Sequence, residues 1–229
     1  MKITWLDQAG LLLELDKITV MVDPYLSYSV DKLRPGMVRK RAPEESYLAV
    51  KPDVLLLTHN HVDHTDTETL ERLLDGCDKA ITVMGGKAAY ITAQCIGKGH
   101  NYVLLAPHSV YSVEGVTFYS VKAAHSDADA VGFIIDDGER TYYISGDTLY
   151  NFDVIDDVLD LVEGGVDFAF LPINGVGNNM TARDAADFAY EIDAKCAIPL
   201  HYDLYDDVDP EDFDFDDKLV LTPYEAVEV

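Results

Sequence analysis

The stretch Val54-Leu55-Leu56-Leu57-Thr58-His59-Asn60-His61-Val62-Asp63-His64 places three histidines and an aspartate directly behind a short apolar run. Four apolar residues are too few for a typical helix and read as a buried strand. A strand ending in His-x-His-x-Asp-His delivers several potential ligands at one sheet edge. Imidazoles and a carboxylate are the set suited to zinc and its first-row neighbours. One histidine in such a place would read as a satisfied polar group. Four ionisable side chains crowded together need a partner, and a metal is the partner that fits.

The rest of the chain sets bounds. Its 229 residues, 48% of them apolar, suffice for one large domain, expected to span 1–229. No repeat, low-complexity tract or linker divides it. The opening Met1-Lys2-Ile3-Thr4-Trp5-Leu6 lacks the long apolar stretch of a signal peptide, and no run is long enough to span a membrane. Cys77, Cys95 and Cys196 are odd in number and widely spaced, which suits buried thiols in a reducing cytoplasm. The net charge of −25, from 42 acidic and 17 basic residues, argues against nucleic acid and anionic membranes as partners. It also favours solubility. A small molecule is the expected partner.

Extended segments are expected at 3–6, 11–15 and 18–22, with Asp16-Lys17 as a hairpin turn. Residues 23–49 read as irregular, broken by Pro24, Pro35, Gly36 and Pro43. After the Val54 strand come a helix over 67–74 capped by Thr67, a strand over 81–84 and a helix over 87–95. Strands follow at 103–105, 110–113, 116–121, 131–135 and 141–145, with Asp137-Gly138 turning between the last two. Then come a helix over 152–161, a strand over 168–173, a helix over 181–192 and a strand over 197–200. Thr181 and Asp184 promise a capping box on that last helix. Two sets of strands, each mixed with helices, predict two face-to-face sheets with helices outside.

Of the seven histidines, His125 follows the strand at 116–121 and His201 ends the strand at 197–200. Asp147 follows the strand at 141–145. A shared sheet edge would bring all three to the first cluster. Seven such ligands can hold two metals about 3.5–4 Å apart, with a bridging carboxylate and water. Ser145, beside Asp147, reads as a small residue in a tight turn, and His100 and His108 read as surface residues.

In order, type and strand-end placement, His59-x-His61-x-Asp63-His64, His125, Asp147 and His201 resemble the metallo-β-lactamase superfamily over nearly the whole chain. The resemblance implies an α/β fold, a four-layer αβ/βα sandwich of two mixed β-sheets flanked by helices. It implies that His59, His61 and His125 hold one metal, that Asp63, His64 and His201 hold a second, and that Asp147 bridges them. Flavodiiron relatives carry a glutamate where His61 stands, which disfavours an iron redox protein. Asp23-Pro24-Tyr25-Leu26-Ser27, Ile173-Asn174-Gly175, Asn179-Met180-Thr181 and Ile198-Pro199-Leu200-His201-Tyr202-Asp203 resemble the L-ascorbate-6-phosphate lactonase branch. So does Trp5-Leu6-Asp7-Gln8-Ala9-Gly10, although that branch usually has glycine where Asp7 stands.

The expected activity is therefore that of a metal-dependent hydrolase. A hydroxide on two divalent ions, Zn²⁺ or Mn²⁺, would open a lactone or cleave an ester, a phosphorylated sugar acid being one candidate. Asp63 and His64 are the expected catalytic residues, Asp63 both holding a metal and orienting the nucleophile. For substrate, Lys32, Arg34, Arg39, Lys40 and Arg41 fall within ten residues, and Arg39 and Arg41 suit a substrate phosphate. The competing reading makes this segment a solvated loop or an oligomer contact pairing with the acidic surface. Asn174, Asn178 and Asn179 can line a polar pocket or hold the turn before the 181–192 helix. Alternatives are a thioesterase resembling glyoxalase II, a phosphodiesterase of the same superfamily, or a non-catalytic metal-binding module.

Overall fold

The structure is a computed structural model that describes residues 1–75 and 79–229. Two mixed sheets form its middle layers. The first has seven strands in the order β13(Ala226–Glu228), β1(Lys2–Trp5), β2(Leu11–Glu14), β3(Thr19–Val22), β4(Val54–Leu57), β5(Thr82–Gly85) and β6(Asn101–Leu104). Its pairs are antiparallel from β13 to β3 and parallel from β3 to β6. The second runs β12(Cys196–Leu200), β11(Phe168–Pro172), β10(Thr141–Ile144), β9(Val131–Asp136), β8(Val116–Lys122) and β7(Val110–Val113). It is parallel from β12 to β10 and antiparallel beyond. Helices α2(Thr67–Leu74) and α3(Lys87–Ile96) cover the first sheet, and α4(Phe152–Leu161) and α5(Ala182–Glu191) the second. This is the four-layer sandwich that the sequence predicts.

Alternation along β4 shows why its apolar run is unbroken. Val54 and Leu56 face the second sheet, in one core with Trp5, Leu13, Phe118, Phe133 and Phe170. Leu55 and Leu57 face outward, under Leu70, Leu73 and Leu74 of α2 and Ala89 and Ala93 of α3. A strand buried on both faces needs apolar side chains at every position. Burying each leucine contributes about 1.5–3 kcal/mol, which holds this strand between the two layers.

Several boundaries differ from expectation. Residues 23–49 are not wholly irregular: α1(Ser29–Leu33) and a 3₁₀ turn at Glu45–Ala49 interrupt them. Asp66, not Thr67, caps α2, its carboxylate accepting from the Thr69 backbone N–H. A carboxylate at that position also complements the helix dipole. The capping box of Thr181 and Asp184 forms as expected. Strand β13 has only a few residues and weak periodicity. It exists because β1 offers it a free edge.

Cys95 is exposed on α3 and Cys196 is half-buried on β12, so the expectation of buried thiols fails for Cys95. Burial pushes the Cys196 thiol up. Cys77 lies outside the described residues. His108 is exposed as expected, whereas His100 bridges the Leu74 carbonyl and the Ile81 N–H from a half-buried position. Among the described residues no helix is long and apolar enough to cross a membrane.

Candidate metal centre

Parallel pairing stacks the strand ends that carry the site. In the first sheet β3 leads to Asp23, and β4 to Thr58 and the His59–His64 loop. In the second, β10 leads to Asp147 and β12 to His201, while His125 sits in the β8–β9 connection. Gly146 turns the chain into Asp147 at φ +59°, and a Cβ there would lie 2.7 Å from Cβ of Thr58. Only glycine combines that backbone with that approach, so the two sheets meet at this point.

Seven donors converge in two groups. His61 Nδ1 lies 3.0 Å from His59 Nε2 and 3.1 Å from His125 Nε2, and Asp147 Oδ2 lies 3.9 Å from both of those Nε2 atoms. In the second group His64 Nε2 and His201 Nε2 are 3.3 Å apart, and Asp147 Oδ1 is 3.2 and 3.3 Å from them. Asp63 Oδ2 is 3.4 Å from His201 Nε2 and 3.9 Å from His64 Nε2. Asp147 thus turns one oxygen to each group. Ligands about 2.0–2.1 Å from one tetrahedral cation are about 3.3 Å from one another, which is the spacing seen here.

The outer nitrogens decide which ring atoms are free to ligate. His64 Nδ1 is 2.8 Å from Asp23 Oδ2. His59 Nδ1 is 3.0 Å from Thr58 Oγ1, whose own hydroxyl donates to Asp23 Oδ2. The Thr58 backbone N–H donates to Asp23 Oδ1 at 2.8 Å. One buried carboxylate therefore organises a histidine of each group. His125 Nδ1 meets the Asn178 carbonyl at 3.3 Å, and His201 Nδ1 meets the Asn174 side-chain amide at 3.0 Å. Asn174 Oδ1 is buried and unpartnered; turning the amide over lets His201 Nδ1–H donate to it. With Nδ1 protonated in each of these four rings, every Nε2 presents a lone pair inward. The His64 and His201 Nε2 lone pairs, 3.3 Å apart, cannot hydrogen-bond to each other, and a cation between them resolves the conflict. Asp147 Oδ1 is likewise buried with no hydrogen bond. The donor set fits divalent metal.

Electrostatics agree. Burial holds His59 well below the ordinary imidazole value, with charge on His64 adding to it, and burial also lowers His125. Burial opposes a charge on His64 too, but the Asp147 and Asp23 carboxylates override it and raise this group well above its usual value. Asp147 and Asp63 raise His201 against the same opposition. Burial alone would push both aspartates up. Instead the His201 hydrogen bond and the His64 charge depress Asp63, and the His201 and His64 charges depress Asp147. Both carboxylates are held in the ionised form, and a proton is favoured on His64 and on His201 but not on His59 or His125.

Three neighbours escaped the sequence reading. Asp23 follows a strand just as Asp147 does, and that rule would have found it. Thr58 precedes the histidines as an ordinary small residue. Gln8 lies in the Trp5–Gly10 motif but receives no site role from it, yet its Nε2 donates to Asp63 Oδ2 at 2.9 Å and stands 3.2 Å from His201 Nε2.

The residues expected to bind substrate divide. Arg39 lies inside the protein rather than on a pocket wall: its side chain is 0% exposed. Its guanidinium donates to the carbonyls of Ser27 and Arg41, lies 3.5 Å from Asp7 Oδ2 and packs over the Tyr25 ring. Arg41 is 29% exposed and pairs with Asp7 and Asp203. Lys40 pairs with Asp203 and Asp207, and Lys32 with Glu68. Four of the segment's five cations are thus paired with the chain's own acids. Asn174 touches His201, and Asn179 is buried with Oδ1 unpartnered. Beside His125 an open cleft is lined by Lys122, Asp127, Leu149, Asn151, Asp153 and Asn178, among others.

The family model for the beta-lactamase superfamily domain matches residues 2–201. A UPF0173 metal-dependent hydrolase of Methanopyrus kandleri is 30% identical over 228 residues, 93% of this chain and 90% of the relative. Among solved structures, the metallo hydrolase Igni18 of Ignicoccus hospitalis superposes with a TM-score of 0.75 at 22% identity, covering 99% of this chain and 97% of that one. An isothiocyanate hydrolase from Delia radicum gut bacteria gives 0.77 at 18% identity, covering 100% and 99%. The described helices and sheets, the His/Asp cluster and these matches agree, and the chain belongs to the metallo-β-lactamase superfamily, in its UPF0173 group of metal-dependent hydrolases.

Proposed function

We propose that the protein holds two divalent ions, Zn²⁺ or Mn²⁺, and hydrolyses a lactone or carboxylic ester of a small polar molecule. The observation that carries this reading is Asp147, whose two oxygens face His59–His61–His125 on one side and Asp63–His64–His201 on the other. Such ions, when bound, acidify water and polarise a carbonyl oxygen. The chain's own residues supply the rest. Asp63 is the one carboxylate of the centre with appreciable exposure, and its depressed pKa keeps it available as a hydrogen-bond acceptor for the attacking water. Gln8 orients it. Burial of His59, His64 and Asp147 excludes bulk water beneath the site and strengthens each interaction there.

A substrate carbonyl would enter over Asp63 and His61, with the Asn178 cleft receiving the remainder. Because Arg39 and Arg41 are engaged by Asp7 and Asp203, uncharged lactones and esters suit the site better than a phosphorylated sugar lactone. Unpaired cysteines and a strongly acidic surface fit a reducing, aqueous compartment such as the cytoplasm.

The test is a panel of sugar lactones and their phosphates, aryl esters, a glutathione thioester, an isothiocyanate and bis-nitrophenyl phosphate. Each is assayed on metal-free protein reloaded with Zn²⁺ or Mn²⁺. Metal-dependent turnover of lactone or ester is expected. Turnover of the phosphodiester or thioester alone would assign the chain to those branches instead, and metal binding with no turnover of any substrate would favour a binding module.

A further inference from the structure

We infer that Arg41, seated on Asp7, is a positioning residue for the half of the metal centre formed by Asp63, His64 and His201; the inference rests on the two-metal reading above. Two left-handed turns meet at that half. The turn between β1 and β2 holds Asp7 at φ +72° and Gln8 at φ +49°, and the turn after β12 holds His201 at φ +60° and Asp203 at φ +59°. None of the four is glycine, so each backbone is held where a side chain disfavours it. The turns are tied directly: the His201 N–H donates to the Gln8 carbonyl at 2.9 Å, and the Trp5 indole donates to the same oxygen at 2.9 Å.

Arg41 is the second tie. Its Nη2 donates to Asp7 Oδ1 at 2.7 Å, its Nε approaches Asp7 Oδ2 at 3.3 Å, and its Nη1 donates to Asp203 Oδ2 at 2.6 Å. A planar fork reaches both carboxylates at once, and a lysine ammonium cannot reproduce it. Asp7 is fully buried in a conformation that glycine would adopt more cheaply, which makes sense if its carboxylate is used. What the brace fixes is the Gln8 amide against Asp63 Oδ2 and the His201 ring against Asp147. Among the described residues, none of the hydrogen bonds to the His59, His61 and His125 rings comes from either turn.

Arg41→Met removes the fork and keeps the stem. Arg39 still lies 3.5 Å from Asp7, so the buried carboxylate is not left without a cation. Arg41→Lys keeps the charge and serves if the methionine variant does not fold. Lys195→Met, which breaks the exposed pair with Asp167, is the control for loss of an ion pair as such. Metal-free proteins are titrated with Zn²⁺ against a competing chelator, and their metal-free Tm is recorded. Wild type and Lys195→Met are expected to take up two ions. Arg41→Met should keep one at wild-type affinity and bind the other about 10–100-fold more weakly, the usual size of an outer-shell effect, with Arg41→Lys between. In a His201→Ala background, which retains one ion, Arg41→Met should leave that ion's affinity unchanged.

Two wild-type-like affinities in Arg41→Met, with only a lowered Tm, would make the brace merely structural. Equal weakening of both ions, or weakening of the ion left in His201→Ala, would overturn the assignment to one half. Uptake of a single ion by wild type would instead refute the two-metal reading, and this inference with it.

Discussion

Asp23 is the residue on which both halves of the centre lean, and replacing it tests that arrangement. Its carboxylate accepts from the Thr58 backbone N–H at 2.8 Å, from the Thr58 hydroxyl, and from His64 Nδ1 at 2.8 Å, and it is 1% exposed. Asp23→Ala would strand three buried donors at about 1–3 kcal/mol each. That sum, about 3–9 kcal/mol, rivals the whole stability of a typical domain at 5–15 kcal/mol. Asp23→Asn is the informative change. It retains an acceptor for the Thr58 N–H but turns an amide NH₂ toward Thr58 Oγ1 and His64 Nδ1. The charge-assisted bond to His64, about 1.5–3 kcal/mol, is lost. With tenfold per 1.4 kcal/mol, Zn²⁺ affinity should fall about 10- to 100-fold. Because Thr58 also relays Asp23 to His59, on the proposed two-ion reading both ions should weaken, unlike the effect of changing Arg41. Chelator competition on metal-free protein, with circular dichroism to confirm folding, reads the result. A folded Asp23→Asn with unchanged affinity for both ions would refute the claim that this carboxylate sets the histidine tautomers.

Asp63→Ala and His64→Ala should each abolish hydrolysis and leave the fold largely intact, since neither side chain belongs to the apolar clusters; wild-type turnover in the double variant, with metal content verified, would exclude the mechanism. Neutralising Arg39 or Arg41 should alter KM equally for a lactone and its phosphorylated analogue, because their donors are engaged by Asp7 and Asp203; a selective rise for the phosphorylated analogue would put a substrate phosphate back on this segment. In metal-free protein His64 and His201 are raised, so the stability they contribute is whole below about pH 6.5 and is lost as pH rises through their folded values. Asp63 and Asp147 are depressed, and their contribution is present above about pH 4 and lost as pH falls toward their folded values. The His64 and His201 contributions should thus lower the metal-free Tm on going from pH 6.5 to 9, with Zn²⁺ affinity rising over the same range as bound protons cease to compete; scanning calorimetry and zinc titration across that range check both, and a metal-free Tm that climbs there would contradict the assignment.

The fold was legible where burial dictates residue type. Val54–Leu57 had to be apolar throughout because α2 and α3 cover one face and the second sheet the other, and Thr181 with Asp184 declared a helix start through chemistry local to four residues. Strand β13 was not legible, because Ala226–Glu228 pairs with β1 from the far end of the chain and buries little. The cap of α2 was misread by one residue: Asp66 and Thr67 are both good caps, and only the Asp66 carboxylate reaches the Thr69 N–H.

The site divides along the same line. His59, His61, Asp63 and His64 are neighbours in sequence, and His125, Asp147 and His201 each follow a strand, so chain order and residue type suffice to group them. The partners that make them work are not marked in this way. Gln8 is 55 residues from Asp63 and is aimed by a turn whose left-handed backbone nothing in Asp7-Gln8 announces. The basic segment shows the limit most sharply. Five cations within ten residues of a chain with net charge −25 look like a ligand site, because sequence reports charge and not partner. In the folded chain Asp7, Asp203, Asp207 and Glu68 had already claimed four of the five: Lys32, Arg39, Lys40 and Arg41. The pairs differ in weight: Lys32–Glu68 and Lys40–Asp207 are exposed, whereas Asp7 is buried, and an unpaired buried carboxylate costs more than an exposed ion pair returns. Of the four acids that hold this cluster only Asp7 is fully buried, and the two arginines Arg39 and Arg41 both meet it, so in this chain they mark a buried carboxylate rather than a ligand.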